Sequence, residues 1–279
     1  MDGGNGLSPT NAPVFVVGDV HGYCVELVTA LHRAGLVSPD GDWTGGNAQL
    51  WFLGDLVDRG PDGLGVVELI MRLAGQASWQ GGRVETLLGN HEVLLLGMHH
   101  FGDAPVPGGG GFRSFALSWE RNGGQRSDQD RVTEEHVRWL SARPVAAVVS
   151  DHLLIHSDTT AYLEWGNTLD EVNAALCEVL STPDLSTWWE CWRLMTTRFA
   201  FRGADGAAVA ADLLARFGGQ CVVHGHSPIP SLLGIPPAAV TGPHVYAAGR
   251  AMAVDGGLCD GGPCLVTPLP LAQLEAAAG

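Results

Sequence analysis

Apolar positions along this chain fall into short runs that stop at a glycine. "VFVV" (Val14–Val17) is followed by Gly18 and Asp19, "AQLWFL" by Gly54 and Asp55, and "RVETLL" by Gly89 and Asn90. Runs this short, bounded by turn residues and rich in β-branched and aromatic side chains, read as buried strands. Between them the period changes. Val25–Ala34 places Leu27, Val28 and Leu31 on one helical face before Gly35, Leu64–Leu73 reads as a second helix, and "HEVLLLGM" opens a third. Strand, helix, strand, helix, strand predicts a βαβαβ core with largely parallel strands. Right-handed crossovers then bring all three glycine-terminated ends to one edge of the sheet, where open α/β proteins bind ligands.

Further along, "TEEHVRWLSARP" predicts a helix capped by Thr133 and stopped before Pro144, and "VAAVVSDHLLIH" two strands joined at Ser150–His152. Leu169–Leu180, Asp184–Met195 and Ala207–Phe217 read as helices, with Trp188, Trp189 and Trp192 packing the second of them onto the core. "QCVVHGHS" is another strand, and His244–Leu269 reads as short antiparallel strands. The fold class expected is α/β: two half-sheets packed as a sandwich with helices outside. One domain is expected over residues 13–270, after a disordered lead-in at 1–12 and before a tail at 271–279. The stretch from Phe101 to about residue 131 is Gly-rich and polar, too irregular for core, and reads either as a flap near the site or as a surface insertion.

Composition narrows the functional classes. A chain of 279 residues with a formal charge of −15 lacks the clustered cations that a nucleic-acid backbone requires. No stretch is long enough to cross a bilayer, and the N-terminal residues carry neither a basic start nor an apolar run, so a cytoplasmic location is expected. The six cysteines form no CxxC pair and are expected to be reduced, without a chemical role.

The chemistry is concentrated at the strand ends. "GDVHG" supplies Asp19 and His21, "GDLVDRG" supplies Asp55, Asp58 and Arg59, and "GNHE" supplies Asn90, His91 and Glu92. Later strands end at His156 in "LLIHSD" and His226 in "VVHGHS". Carboxylate, imidazole and amide oxygen suit Mn²⁺, Fe²⁺ or Zn²⁺. Each motif alone is an ordinary turn. Together and in this order, from Val14 to Ser227, they resemble the calcineurin-like metallophosphoesterases of the phosphoprotein phosphatase type, which include bacterial serine/threonine phosphatases and diadenosine tetraphosphate hydrolases.

The resemblance implies a metallophosphoesterase β-sandwich of mixed sheets flanked by helices, holding two divalent ions, Mn²⁺ being expected. Asp19 and His21 would hold one ion, Asn90, His156 and His226 the other, and Asp55 both. His91 would be the general acid, oriented by Asp58. Arg59, Asn90 and a second arginine would bind phosphate, with Arg198 of "TTRF" preferred to Arg202, and Glu92 would support the ligands. The activity implied is a phosphomonoesterase that uses direct attack by a metal-bound hydroxide, with no phosphoenzyme. Its partner would be a phosphorylated protein or a small-molecule phosphate, or alternatively a dinucleoside polyphosphate. A binding protein on a dead scaffold would lack a ligand or His91, and neither is missing. In the family Gly-Gly or Ala-Gly often follows the first late histidine; here Ser157 and Asp158 follow it, and Asp158 is expected to repel acidic substrates. His224 is expected to face away from the site.

Overall fold

Strands β1 (Val14–Val17), β2 (Gln49–Phe52) and β3 (Arg83–Thr86) run parallel, linked by helices α1 (Cys24–Arg33) and α2 (Gly63–Trp79). The computed structural model describes residues 12–108 and 113–270. Most of the expected lead-in, the 271–279 tail and residues 109–112 of the Gly-rich stretch lie outside the described residues. After β3 come α3 (Asn90–Phe101), α4 (Phe115–Arg121), α5 (Arg126–Gln129) and α6 (Glu134–Ser141), which Thr133 caps as expected. Then follow the hairpin β4 (Ala146–Val149) and β5 (His152–Ile155), helices α7 (Leu169–Ser181), α8 (Leu185–Met195) and α9 (Gly206–Phe217), and β6 (Cys221–His224). The chain closes with α10 (Ile229–Leu233), β7 (His244–Tyr246), β8 (Ala251–Ala253) and β9 (Val266–Leu269).

The strands form two mixed sheets, in the orders β3-β2-β1-β9 and β4-β5-β6-β8-β7. Alternate side chains explain why each strand reads as a continuous apolar run: both faces are covered. Val14, Val16, Trp51, Leu53, Leu154, Val223 and Met252 share the core between the sheets. Val17, Leu50 and Phe52 belong to the core under the helices, with Leu27, Leu31, Leu64 and Ile70. The tail is the antiparallel set expected only in part: β7 pairs antiparallel with β8, and β9 with β1, but β8 also lies parallel beside β6. The 101–131 stretch is also corrected: Phe115 and Trp119 of α4 are buried core residues, and α4 packs along α3.

Candidate active site

The loops after β1, β2 and β3 interlock. The Asp55 carbonyl oxygen accepts from the N–H groups of Val20 (3.0 Å) and His21 (2.9 Å), and the Leu56 carbonyl oxygen accepts from Gly22 (2.8 Å). Glu92, on the first turn of α3, accepts from the N–H groups of Asp55 (2.8 Å), Leu56 (2.7 Å) and Gly89 (2.8 Å), which is the supporting role expected of it. The backbone here is strained: His21, Asp55, Asp58, Arg59 and His226 all have positive φ, between 48° and 66°. Non-glycine residues are held in this region only where their surroundings enforce it, as at functional sites.

Asp55 lies at the meeting point of two clusters of donor atoms: His21, Asp55 and His91 form one, Asp55, His156 and His226 the other, with ligand atoms within 4.8 Å of one another in each. All five residues are buried. Asp19 adjoins the first cluster, its Oδ2 being 3.8 Å from His21 Nε2, while its Oδ1 accepts from the His226 N–H at 2.9 Å. Asn90 Oδ1 lies 2.9 Å from His156 Nε2. Burial, with Asp255 and Asp55 close by, lifts Asp19 well above the usual carboxylate range.

The histidines are oriented from behind. His21 Nδ1 lies 3.0 Å from the Val57 carbonyl oxygen and His156 Nδ1 2.9 Å from that of Leu53. Donation there leaves each Nε2 as a lone pair directed at the centre. His21 Nε2 is buried with no hydrogen-bond partner. His156 Nε2 instead faces Asn90 Oδ1 and, at 3.2 Å, Asp55 Oδ1. With His156 neutral, three acceptors converge there and form a site for a cation, and the donor set is one that a divalent ion of the Mn, Fe or Zn type takes. Burial opposes charge on His156, yet Asp55, Asp19 and Glu92 together raise its pKa to about 9. The centre draws in a proton where no other positive charge is present.

His91 sits beside this centre. Its Nδ1 is 2.7 Å from Asp58 Oδ2 and its Nε2 is 3.1 Å from Arg59 Nη2. Burial works against a charged His91, but Asp55 and Asp58 raise its pKa. Asp58 is pushed up by burial, while His91 and Trp119 pull it back. The Trp119 indole N–H donates to Asp58 Oδ1 at 3.0 Å. The Arg59 N–H donates to the Gly123 carbonyl oxygen at 2.7 Å. The Gly-rich stretch therefore clasps the strained Asp58–Arg59 turn. One of the two readings of the sequence placed this stretch near the site but not the contact itself; the available signal was one tryptophan inside a polar, Gly-rich segment.

Two more residues were missed. Asp255, buried after β8, accepts from the Gly257 N–H at 2.8 Å, and burial lifts its carboxyl to about 6. Cys259 Sγ lies 3.5 Å from Arg59 Nη1, although no role was expected of any cysteine. Arg198 and Arg202 are both exposed. Arg198 is the one whose charge acts on His226, which burial and His156 already hold well below its usual pKa. Asp158 does not face the substrate side as expected. Fully buried, it accepts from the Ser227 hydroxyl and from the Phe199 N–H. His224 turns away as expected, its Nε2 lying 2.7 Å from the Tyr246 hydroxyl.

A family model for calcineurin-like phosphoesterases matches residues 12–230, and the chain belongs to this family. Its relatives include a symmetrical bis(5'-nucleosyl)-tetraphosphatase of Ralstonia nicotianae, 27% identical over 180 residues, covering 63% of this chain and 52% of that protein. Shewanella-like protein phosphatase 2 of Arabidopsis thaliana is 35% identical over 80 residues, 29% of this chain and 20% of that protein. The chain spans about half or less of the length of these relatives. A cold-active protein tyrosine phosphatase shares the fold with a TM-score of 0.68 at 23% identity, over 92% of this chain and 73% of that one. A putative diadenosine tetraphosphatase aligns at 0.54 and 18% identity, over 95% of this chain and 92% of that one. No helix among the described residues is long and apolar enough to cross a membrane.

Proposed function

We propose that the protein is a two-metal phosphomonoesterase. The observation that carries this reading is Asp55, shared between two buried clusters of donor atoms; His91 belongs to the first, but its ring nitrogens already face Asp58 and Arg59, which leaves Asp19 to complete that ion's ligands. Asp19 and His21 would hold one divalent ion, Asn90, His156 and His226 the other, and Asp55 both, with Mn²⁺ as the assay metal. Two such ions would offset the negative charge of phosphate and would make a bound water acidic enough to react near neutral pH.

The residues account for the remaining steps. Arg59 and Arg198 present planar guanidinium groups to the phosphate oxygens, with the Asn90 amide assisting. Water, having lost one proton to solvent, adds its oxygen to phosphorus, the ester P–O bond breaks, and His91 passes a proton to the leaving oxygen and regains one from solvent. Asp58 fixes the ring of His91 and favours its protonated form; Arg59, which can only donate, turns from Nε2 to the phosphate when that nitrogen carries the proton. A phosphoenzyme through Cys259 is disfavoured: burial pushes its thiol up, outweighing the pull of Arg59. The substrate is a phosphorylated protein or a small-molecule phosphate. A second reading, dinucleoside polyphosphate hydrolysis, is supported by the named activity of the Ralstonia relative.

The test is phosphate release by chelator-stripped protein before and after Mn²⁺ is added back. The panel comprises a phosphothreonine peptide, diadenosine tetraphosphate and several sugar and nucleotide monophosphates. Metal-restored release is expected. Bound metal with no release from any compound would sink the hydrolase reading.

A further inference from the structure

The segment Thr196–Arg202 forms one rim of the site. The carbonyl oxygen of Thr196 lies 3.2 Å from His226 Nε2. Three residues later, Phe199 is 37% exposed and has a φ of +72°, a region disfavoured for any side chain with a Cβ. Two hydrogen bonds hold it there. The Phe199 N–H donates to Asp158 Oδ2 at 2.9 Å, and the Ala200 N–H donates to the Asp158 carbonyl oxygen at 2.9 Å. The unusual Asp158 thus maintains a strained backbone that presents an aromatic ring to solvent. Strain retained beside a reactive centre points to function.

The ring is flanked by cations. The guanidinium carbon of Arg202 is 4.8 Å from the ring centroid and that of Arg198 is 5.9 Å away. Among the described residues neither pairs with a carboxylate. In a chain of formal charge −15, two unpaired cations on one exposed ring form a local anion-attracting surface.

We propose that Phe199, Arg198 and Arg202 form a subsite for the alcohol part of the substrate, selecting phosphate esters that carry a planar aromatic ring and a second anionic group. The inference rests on the phosphomonoesterase reading and narrows it to small molecules. The substrate's ring takes the place of Arg202 over Phe199, Arg202 turns outward to meet the second anion, and Arg198 reaches from the ring toward the phosphate at the metal-binding centre. Nucleotides with two phosphates and aryl phosphates bearing an acid both have this chemistry. A simple alkyl phosphate reaches the centre but leaves the ring uncovered.

Phe199→Gly is the informative variant, because glycine adopts this φ without strain and removes only the ring. The assay compares kcat/KM for adenosine 3′,5′-bisphosphate and for 4-carboxyphenyl phosphate, each divided by the value for glycerol 2-phosphate. Both ratios are expected to fall about tenfold in Phe199→Gly, as loss of one stacking partner implies. A fall in one ratio alone assigns the subsite to nucleotides or to aryl acids. Arg202→Gln should lower the same ratios measured against phenyl phosphate, which lacks the second anion. Ratios unchanged in both variants overturn the subsite. If the parent hydrolyses none of these compounds, the hydrolase reading fails separately. The subsite is then decided by calorimetry with the α,β-methylene analogue of adenosine diphosphate. Binding about tenfold weaker in Phe199→Gly sustains it; equal affinity, or no binding to the parent, overturns it.

Discussion

Asp58 accepts two hydrogen bonds inside a buried turn, one from His91 and one from Trp119. An indole N–H can only donate, so it favours an ionised Asp58, and an ionised Asp58 favours a protonated His91. Trp119→Phe keeps the packing but leaves a buried carboxylate oxygen unpaired. We expect a loss of about 1–3 kcal/mol in stability by denaturant melts. Turnover should fall about tenfold on alkyl esters, roughly 1.4 kcal/mol of barrier, and less on aryl esters, whose leaving oxygens need the proton less. An equal loss on both would mean that Trp119 acts on the fold alone. His91→Ala should retain metal and lose on the order of 10²–10⁴ in kcat, again most for alkyl leaving groups. Asp55→Asn should instead lose metal, as elemental analysis of the purified protein would show. Alkyl turnover by His91→Ala at the parent's rate would refute the assignment of the acid.

At the scale of elements, the glycine closing each early strand explains why the site was legible in the sequence. Gly54 has a φ of +97°, and a Cβ there would come within 2.5 Å of the Gly89 nitrogen. The loops after β2 and β3 touch through their backbones, which brings Asp55 and Asn90 to one centre. Gly54→Ala must push these loops apart, and metal affinity should fall at least about tenfold, a shift that titration with Mn²⁺ measures. Affinity equal to the parent's would mean that the loops yield without moving their ligands. What could not be read from the sequence was nonlocal. Period and turn residues located β1 to β6 and the polar residues at their ends, because those signals lie within a few neighbouring positions. The contact of Trp119 with Asp58 spans 61 positions, and the placement of β8 beside β6 depends on a crossover with no periodic mark. The same limit made Asp158 look like a substrate-facing charge when it is a buried brace for Phe199.

Over the whole molecule, the fold concentrates buried carboxylates at one end of its sandwich: Asp19, Asp55, Asp58, Glu92 and Asp255 are all at most 7% exposed. Burying that much like charge is costly unless positive charge is buried with it. Divalent ions that bind only the folded chain stabilise it by about 2.7 kcal/mol at a hundredfold excess over Kd, so chelation should lower the melting temperature by about 5 °C or more. The metal-free protein must rely on protons instead, and the sign follows from His156. Its folded pKa, about 9, exceeds the ordinary 6.5, so its contribution is complete below pH 6.5 and is lost as pH rises to 9. His91 is raised too and acts in the same direction. His21 and His226 are lowered, so their unfavourable contribution is already over by pH 6.5. The chelated protein should therefore lose stability between about pH 6.5 and 9, while the Mn²⁺-loaded protein, with His156 held as a ligand, should not. Thermal melts across that window, with and without metal, read both curves. Parallel curves would mean that His156 does not exchange its proton for a metal ion, and the two-metal reading would lose its central ligand.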